Sequence, residues 1–237
     1  MVQWQGVNMG NAGCKLIIGF ILFWVVLNGS SCALQPVPQE EKTLVPPLNA
    51  IVFVGFRPGL SSSQTPGLVH SPISGAVFSA EPVPEGIAEG LSDLLFEKLT
   101  KDSRLHWVSP HEAAAAFSQF ASSNLTWTDR DIYLRIGKAL SAEAVLGGHV
   151  YRWREREGTD YAANRPASVA FDLYLLSVGD GVIWWKARFD KSQISLSENL
   201  LDLKTFLKAK GRWMTAEELA EIGLAEFVET FPKGEKE

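Results

Sequence analysis

Residues 128–156 read TDRDIYLRIGKALSAEAVLGGHVYRWRER. The first half has a helical period. Thr128 to Asp131 form a polar start, and Ile132, Ile136, Ala139 and Leu140 share one side, as a core-packed helix requires. From Val145 to Arg156 the chain reads as a strand. A helix that runs into a strand is half of an α/β unit, and the rest of the sequence can be ordered around it.

Upstream, Ala50-Ile-Val-Phe-Val-Gly-Phe is a nearly continuous apolar run bounded by prolines, the pattern of a buried strand. From Pro84 the period lengthens to that of a helix, with Ile87, Leu91, Leu94, Leu95 and Leu99 on one face. Leu105–Val108 is a short strand. Ser109, Pro110 and Glu112 then supply a cap, a first-turn proline and the third-position acid of a capping box. Downstream, Ser168–Val178 and Val182–Gln193 are two longer strands joined at Gly179-Asp-Gly181, a hairpin signal. The apolar face of the first is Val169, Phe171, Leu173 and Leu175, which turns Asp172 toward solvent or a partner. Ser195 and Glu198 begin a helix carrying Leu200, Leu203 and Leu207. Thr215 and Glu218 begin a last one with Leu224, Phe227, Val228 and Phe231.

The expected order is βαβααβββαα. This is an α+β fold in a single domain over residues 50–232, with a mixed sheet of about five strands packed by helices. The βαβ unit places its two strands parallel, and the last three strands form an antiparallel meander. Between the first strand and the first helix, residues 59–82 are rich in Gly, Ser and Pro. Connections that long are either functional or without fixed structure.

The amino-terminal end carries an address. Lys15 is the only charged side chain in residues 1–31, and the 12 apolar residues Leu16–Leu27 follow it. As a helix they reach about 18 Å, short of the roughly 20 residues that span a bilayer core and within the range of a secretory signal. Gly29, Ser30 and Ser31 precede Cys32. This resembles a bacterial lipoprotein signal, in which the Cys receives a diacylglycerol thioether and the preceding peptide is removed. The family prefers Leu three positions before the Cys, where this chain has Gly29. Cys32 is the only thiol beyond that segment, since the other, Cys14, lies within it. The resemblance implies membrane anchoring through lipid on Cys32, and Ala33 after it implies the periplasmic face of the outer membrane. Residues 32–49 read as a Pro-rich tether with a reach of roughly 50 Å, and residues 233–237 as a charged tail.

The elements from residue 50 to 195 resemble the periplasmic α/β domain of curli-assembly lipoproteins, of lipoprotein activators of penicillin-binding proteins and of the amino-terminal domain of the Tol translocation protein. The likeness rests on element order and on residues 136–150, where this chain has Ser141 and Glu143 in place of the usual Gly and Asp. It implies a non-catalytic envelope module that binds other proteins. The alternative is a lipid-anchored hydrolase of cell-wall glycan.

Chemistry is sparse in the sequence. The net charge of −5 and pI of about 5.5 oppose a nucleic-acid partner. His70, His106, His111 and His149 lack metal-ligand spacing, no Gly-x-Ser-x-Gly elbow occurs, and Gly137-Lys138 lacks a phosphate-binding loop, so neither cofactor nor metal is expected. Gly147-Gly148 within a strand marks close packing or a bulge. Asp172, Asp180 and Asp190 are the carboxylates that could form an acid–base pair. Alternation places Arg152 with Arg154 on one strand face, and Trp184 with Lys186 and Arg188 on another, while Trp153 and Trp185 turn to the core. If both basic sets face outward, the meander carries a partner-binding patch of Arg152, Arg154, Trp184, Lys186 and Arg188.

Overall fold

The computed structural model describes residues 46, 48–101, 105–124, 126–193 and 212–232, all within one compact unit, Thr43–Glu237. The signal segment, Cys32, most of the tether, the helix expected from Ser195 and the charged tail lie outside the described residues.

Thirteen elements follow one another: β1 Ala50–Pro58, β2 Gly67–His70, β3 Val77–Ala80, α1 Ile87–Leu99, β4 His106–Val108, α2 Pro110–Ser123, α3 Asp129–Ala139, β5 Ala144–Arg154, β6 Glu157–Gly158, β7 Ala163–Arg165, β8 Ser168–Ser177, β9 Ile183–Ser192 and α4 Ala216–Thr230. The main sheet has five strands in the order β4-β1-β5-β8-β9. β1 runs parallel to both β4 and β5, and β5, β8 and β9 form the antiparallel meander. The fold is α+β with a mixed sheet, as the sequence predicts. The short hairpins β2–β3 and β6–β7 are additions to the expected order.

Three helices start where their side chains say they should. Ser109 with Glu112, Thr128 with Asp131 and Thr215 with Glu218 each close a reciprocal capping box, supplying partners to backbone groups that a helix start leaves open. α3 ends in a Schellman motif: Ala142 N–H donates to Gly137 O at 2.9 Å and Ser141 N–H to Lys138 O at 3.3 Å. This puts Ser141 at φ 52°, the left-handed region. Glu143, just beyond, accepts from Asn49 N at 2.7 Å and from Asn49 Nδ2 at 2.9 Å, fixing where the chain enters β1.

The sheet is covered on both sides. One face packs against α1 and α4, through Leu91, Leu95, Leu99, Leu219, Leu224 and Phe227 over Phe53, Leu146, Phe171 and Leu173. The other packs against α2 and α3, through Ala113, Ile132 and Ile136 over Val52, Val145 and Tyr174. Beyond the helices the β2–β3 hairpin continues this second layer, with Phe78 and Ala80 against Tyr151 and Ala170. All residues of β8 are therefore buried. Asp172, expected to face solvent or a partner, is 2% exposed because the second layer lies over it. Residues 59–82 are likewise not merely loop. They hold β2, β3 and the buried Leu60, Phe78 and Ala80.

Gly147 and Gly148 mark close packing. A Cβ on Gly147 would stand 2.6 Å from the Tyr133 ring, and one on Gly148 would stand 2.2 Å from Asp172 O. The pair lets α3 sit directly on β5 from one side and β8 press close beside it.

Ser141 carries the penalty an L-residue pays in the left-handed region, about 1 kcal/mol, where glycine pays none. Ser141→Gly is therefore expected to stabilise the domain by about 1 kcal/mol and to raise its melting temperature by ~2–4 °C, read by thermal unfolding.

Candidate functional site

The second face of the sheet holds a polar cluster under the hairpin. His149 and Tyr151 alternate along β5, and Asp172 and Tyr174 along β8. The register pairs His149 with Asp172, bringing all four side chains to one place. α3 contributes Asp129 from its first turn and Tyr133 one turn later. The turn between β2 and β3 contributes Ser71 and Ser74.

His149 is the bridge. Its Nε2 lies 2.9 Å from Asp129 Oδ2, and its Nδ1 meets the Tyr174 hydroxyl. The carboxylate can only accept, so Nε2 carries a proton toward Asp129, while Nδ1 shares a hydrogen bond with the Tyr174 hydroxyl. The hydrogen bond from His149 holds the Asp129 carboxyl below its ordinary range, against the opposing effect of burial. Asp172 accepts from Tyr151 Oη at 3.2 Å on both oxygens, from Ser74 Oγ at 3.3 Å and from His149 N–H at 3.3 Å. Burial nevertheless pushes its carboxyl up. The phenols of Tyr133, Tyr151 and Tyr174 are pushed up as well, chiefly by burial, and remain protonated donors. Tyr133 Oη and Arg57 Nη1 are buried without a hydrogen-bond partner. Arg57 lies 3.8 Å from the Phe117 ring centre. Chemically the cluster is a short hydrogen-bonded relay from Tyr174 through His149 to Asp129, beside a carboxyl whose ionised form is disfavoured.

The arginines of the meander clamp the hairpin above this cluster. Arg152 is 7% exposed. Its Nε donates to Ser168 Oγ at 2.7 Å, its Nη1 to Ser79 O at 2.8 Å and its Nη2 to Asp190 Oδ1 at 2.6 Å. Arg154 pairs with Glu81 at 3.0 Å. Arg188 donates to Val77 O at 2.8 Å and to Asp190 Oδ2 at 2.9 Å, and lies 4.2 Å from the Phe78 ring centre. Phe78 in turn stacks on Tyr151 with centroids 4.0 Å apart. Both outer carbonyls of β3 are thus capped by guanidinium groups.

The five residues grouped by alternation are not one exposed face. Lys186 and Arg188 are exposed on the cluster side of the sheet, Arg152 lies under the hairpin, and Arg154 is half-buried. Trp184 packs with Trp185 against the α1/α4 core, because a register shift between Leu175 and Leu176 breaks the strict alternation of β9. Of the three carboxylates singled out, Asp172 belongs to the cluster, Asp190 to the arginine clamp, and Asp180 binds Val182 N at 3.1 Å in the turn. His149 was visible in the sequence only as a poor metal ligand. Its real signal is polar residues two apart on each of two neighbouring strands, His149 with Tyr151 and Asp172 with Tyr174.

No family profile matches the chain, and no curated protein matches it. Among solved structures it is similar to the C-terminal domain of LpoB from Salmonella enterica, at 15% identity over 63% of this chain and 86% of that one, with a TM-score of 0.37. It is also similar to the hypothetical protein CT253 from Chlamydia trachomatis, at 15% identity over 77% and 94%, with a TM-score of 0.42. A third is lipoprotein GNA1162 from Neisseria meningitidis, at 14% identity over 68% and 94%, with a TM-score of 0.39. GNA1162 is described as a lipoprotein. At these scores nothing about the activity of this chain follows from them.

Two outcomes test the electrostatics. Arg152→Ala removes its bonds to Ser168, Ser79 O and Asp190 from a largely buried site, leaving Asp190 with Arg188 alone, and is expected to cost about 3 kcal/mol. Arg165→Ala, which removes an exposed pair with Glu157, should change stability by less than about 0.5 kcal/mol. Denaturant titration distinguishes the two. For Asp129 the lowered native value means that the unfolded chain binds the extra proton, so its contribution is present above about pH 4 and lost as pH falls further. Asp129→Asn should make the acid decline of unfolding free energy shallower. An unchanged slope would show that the His149 contact does not hold this carboxyl down.

Proposed function

We propose that the protein is a lipid-anchored envelope module that works by binding other proteins, with the β2–β3 hairpin as its recognition element. The carrying observation is the clamp. Three arginines and a stacked aromatic pair hold a hairpin whose outer face is left to solvent, with Leu68 77% exposed and Val77 41% exposed. Recognition residues are commonly displayed on connections that a rigid scaffold holds in place. Exposed apolar side chains on such a mount suit contact with a partner better than they suit solvent. Lys186 and Arg188 are exposed on the same side of the sheet and would favour a partner with an acidic surface, giving an ionic-strength-dependent encounter. Arg152 and Arg154 act in this reading by holding the hairpin. Trp184 packs toward the α1/α4 side and lies outside this surface. Cys32 is proposed as the acylated residue and the membrane attachment, on the periplasmic face of the outer membrane.

A photo-reactive residue at position 68 should capture an envelope protein in intact cells. The same residue at exposed Glu221, on α4 across the sheet, should not. Lys186→Glu should lower capture at position 68 and leave the melting temperature unchanged within a few degrees. Cys32→Ser should abolish fatty-acid labelling and release the chain from membranes. Equal capture from both positions, or none, would remove the hairpin as the binding surface. Persistent membrane attachment of the Cys32→Ser variant would assign the anchor to residues 16–27 instead.

A further inference from the structure

We propose that the β2–β3 hairpin is a strap that closes over the sheet when Asp172 is protonated and lifts at its tip when Asp172 is ionised. The inference does not depend on the protein-binding reading. It rests on how the hairpin is attached. Its base is pinned to β5 by two backbone bonds, Gly59 N–H to Val150 O at 2.7 Å and Glu81 N–H to Tyr151 O at 2.8 Å. Its middle is held by Arg152 at Ser79 O and Arg188 at Val77 O. Its tip, residues 71–76, is closed by Ser71 N–H to Ala76 O at 2.7 Å and Gly75 N–H to Ser71 O at 3.0 Å. This tip meets the sheet's polar groups through Ser74, 3.3 Å from Asp172, and through the Ser71 hydroxyl, which bonds Asp172, Tyr151 and Tyr174.

A buried carboxylate without a cationic partner is costly, and water is what relieves the cost. The cationic groups nearby are committed elsewhere. Arg188 is the register partner of Asp172 on β9 but spends its guanidinium on Val77 O and Asp190. Arg57 on β1 sits on Phe117, and Lys186 lies two register pairs away, opposite Tyr174. The groups that face Asp172 are His149 and Tyr151 on β5, Tyr174 on β8, Ser71 and Ser74 of the tip and, further off, Asp129 and Tyr133 on α3, while His70 of β2 points to solvent. Neutral hydroxyls and one amide can satisfy either form of the carboxyl without neutralising its charge, and His149, the titratable base beside it, favours the ionised form less than burial disfavours it. The remaining neighbours belong to the ladders of β5 and β8, so admitting water from those sides would break the sheet. Lifting the tip costs the serine contacts, the packing of the buried Ile73 and, as the movement spreads toward the base, the Phe78–Tyr151 stack. The raised carboxyl of Asp172 agrees with this arrangement. Its sign is fixed: native protein binds the extra proton, so this group's contribution to closure falls as pH rises through the native value.

Hydrogen exchange of the full-length chain in detergent micelles, between pH 4.5 and 8 and corrected for the intrinsic exchange rate, reads the strap directly at the amides of Val69, Ser71 and Phe78, with β8 as the internal reference. Protection of these amides is expected to be about tenfold greater at the acid end. The difference should disappear in Asp172→Asn, with protection held at the acid level throughout, and survive in Asp129→Asn. Protection that does not change with pH in the wild type, or a change that persists in Asp172→Asn, would overturn the proposal. Should Asp172→Asn fail to fold, the double substitution Ser71→Ala and Ser74→Ala, confined to the tip, serves instead. It should lower acid protection to the level seen at pH 8, and unchanged protection would be equally fatal.

Discussion

A carboxyl taken out of water has to be met by donors, and Asp172 at the middle of β8 is met from its own sheet by Tyr151 and His149 and from outside it by Ser74. Much of the second layer is arranged around that requirement. α3 comes close enough to place Asp129 on His149 because Gly147 leaves room for Tyr133. The hairpin reaches Asp172 because Arg152 and Arg188 tie the outer carbonyls of β3 to Asp190. Were residue 172 an apolar side chain, that half of the sheet could be closed by any greasy helix. A polar centre demands a cover with hydroxyls at specified positions, which is what the tip of residues 71–76 supplies.

The two faces of the sheet are held by different physics. The α1/α4 side is an aliphatic and aromatic core, with Phe171 meeting Phe56, Phe189 and Phe227 at centroid distances of 5.2–5.6 Å. Such packing is strong, roughly proportional to area and indifferent to pH. The other side adds to its own apolar packing a set of directional bonds between groups that each need a partner, and losing one strands another.

What could be read in the sequence was what is local. The starts of α2, α3 and α4 were legible because each capping box is complete within four residues, and the meander was legible because its strands are long and bounded by glycines. Asp172 was misread because alternation describes a sheet with one wet face, whereas here a second layer closes both. β2 and β3 were hidden in residues 59–82 because four-residue strands have almost no periodicity of their own and are fixed by Tyr151, Arg152 and Arg188, about 70 to 110 residues away in the chain. Trp184 was assigned to the basic side because a register shift inverts parity without leaving a mark in the sequence. The polar cluster needed the pairing of His149 with Asp172, a fact about register rather than about either segment alone.

The contact of Glu143 with Asn49 has a mechanical side. β1 is an interior strand, with β4 parallel on one flank and β5 parallel on the other. Any force that reaches the domain through the residues before Asn49 is delivered along the axis of β1. Its ladders on both flanks would then be loaded in shear, many hydrogen bonds at once, instead of being unzipped one by one. Such a join resists traction far better than an edge strand would. A pull from that end would thus enter at the interior of the sheet, between two parallel ladders, and not at its edge.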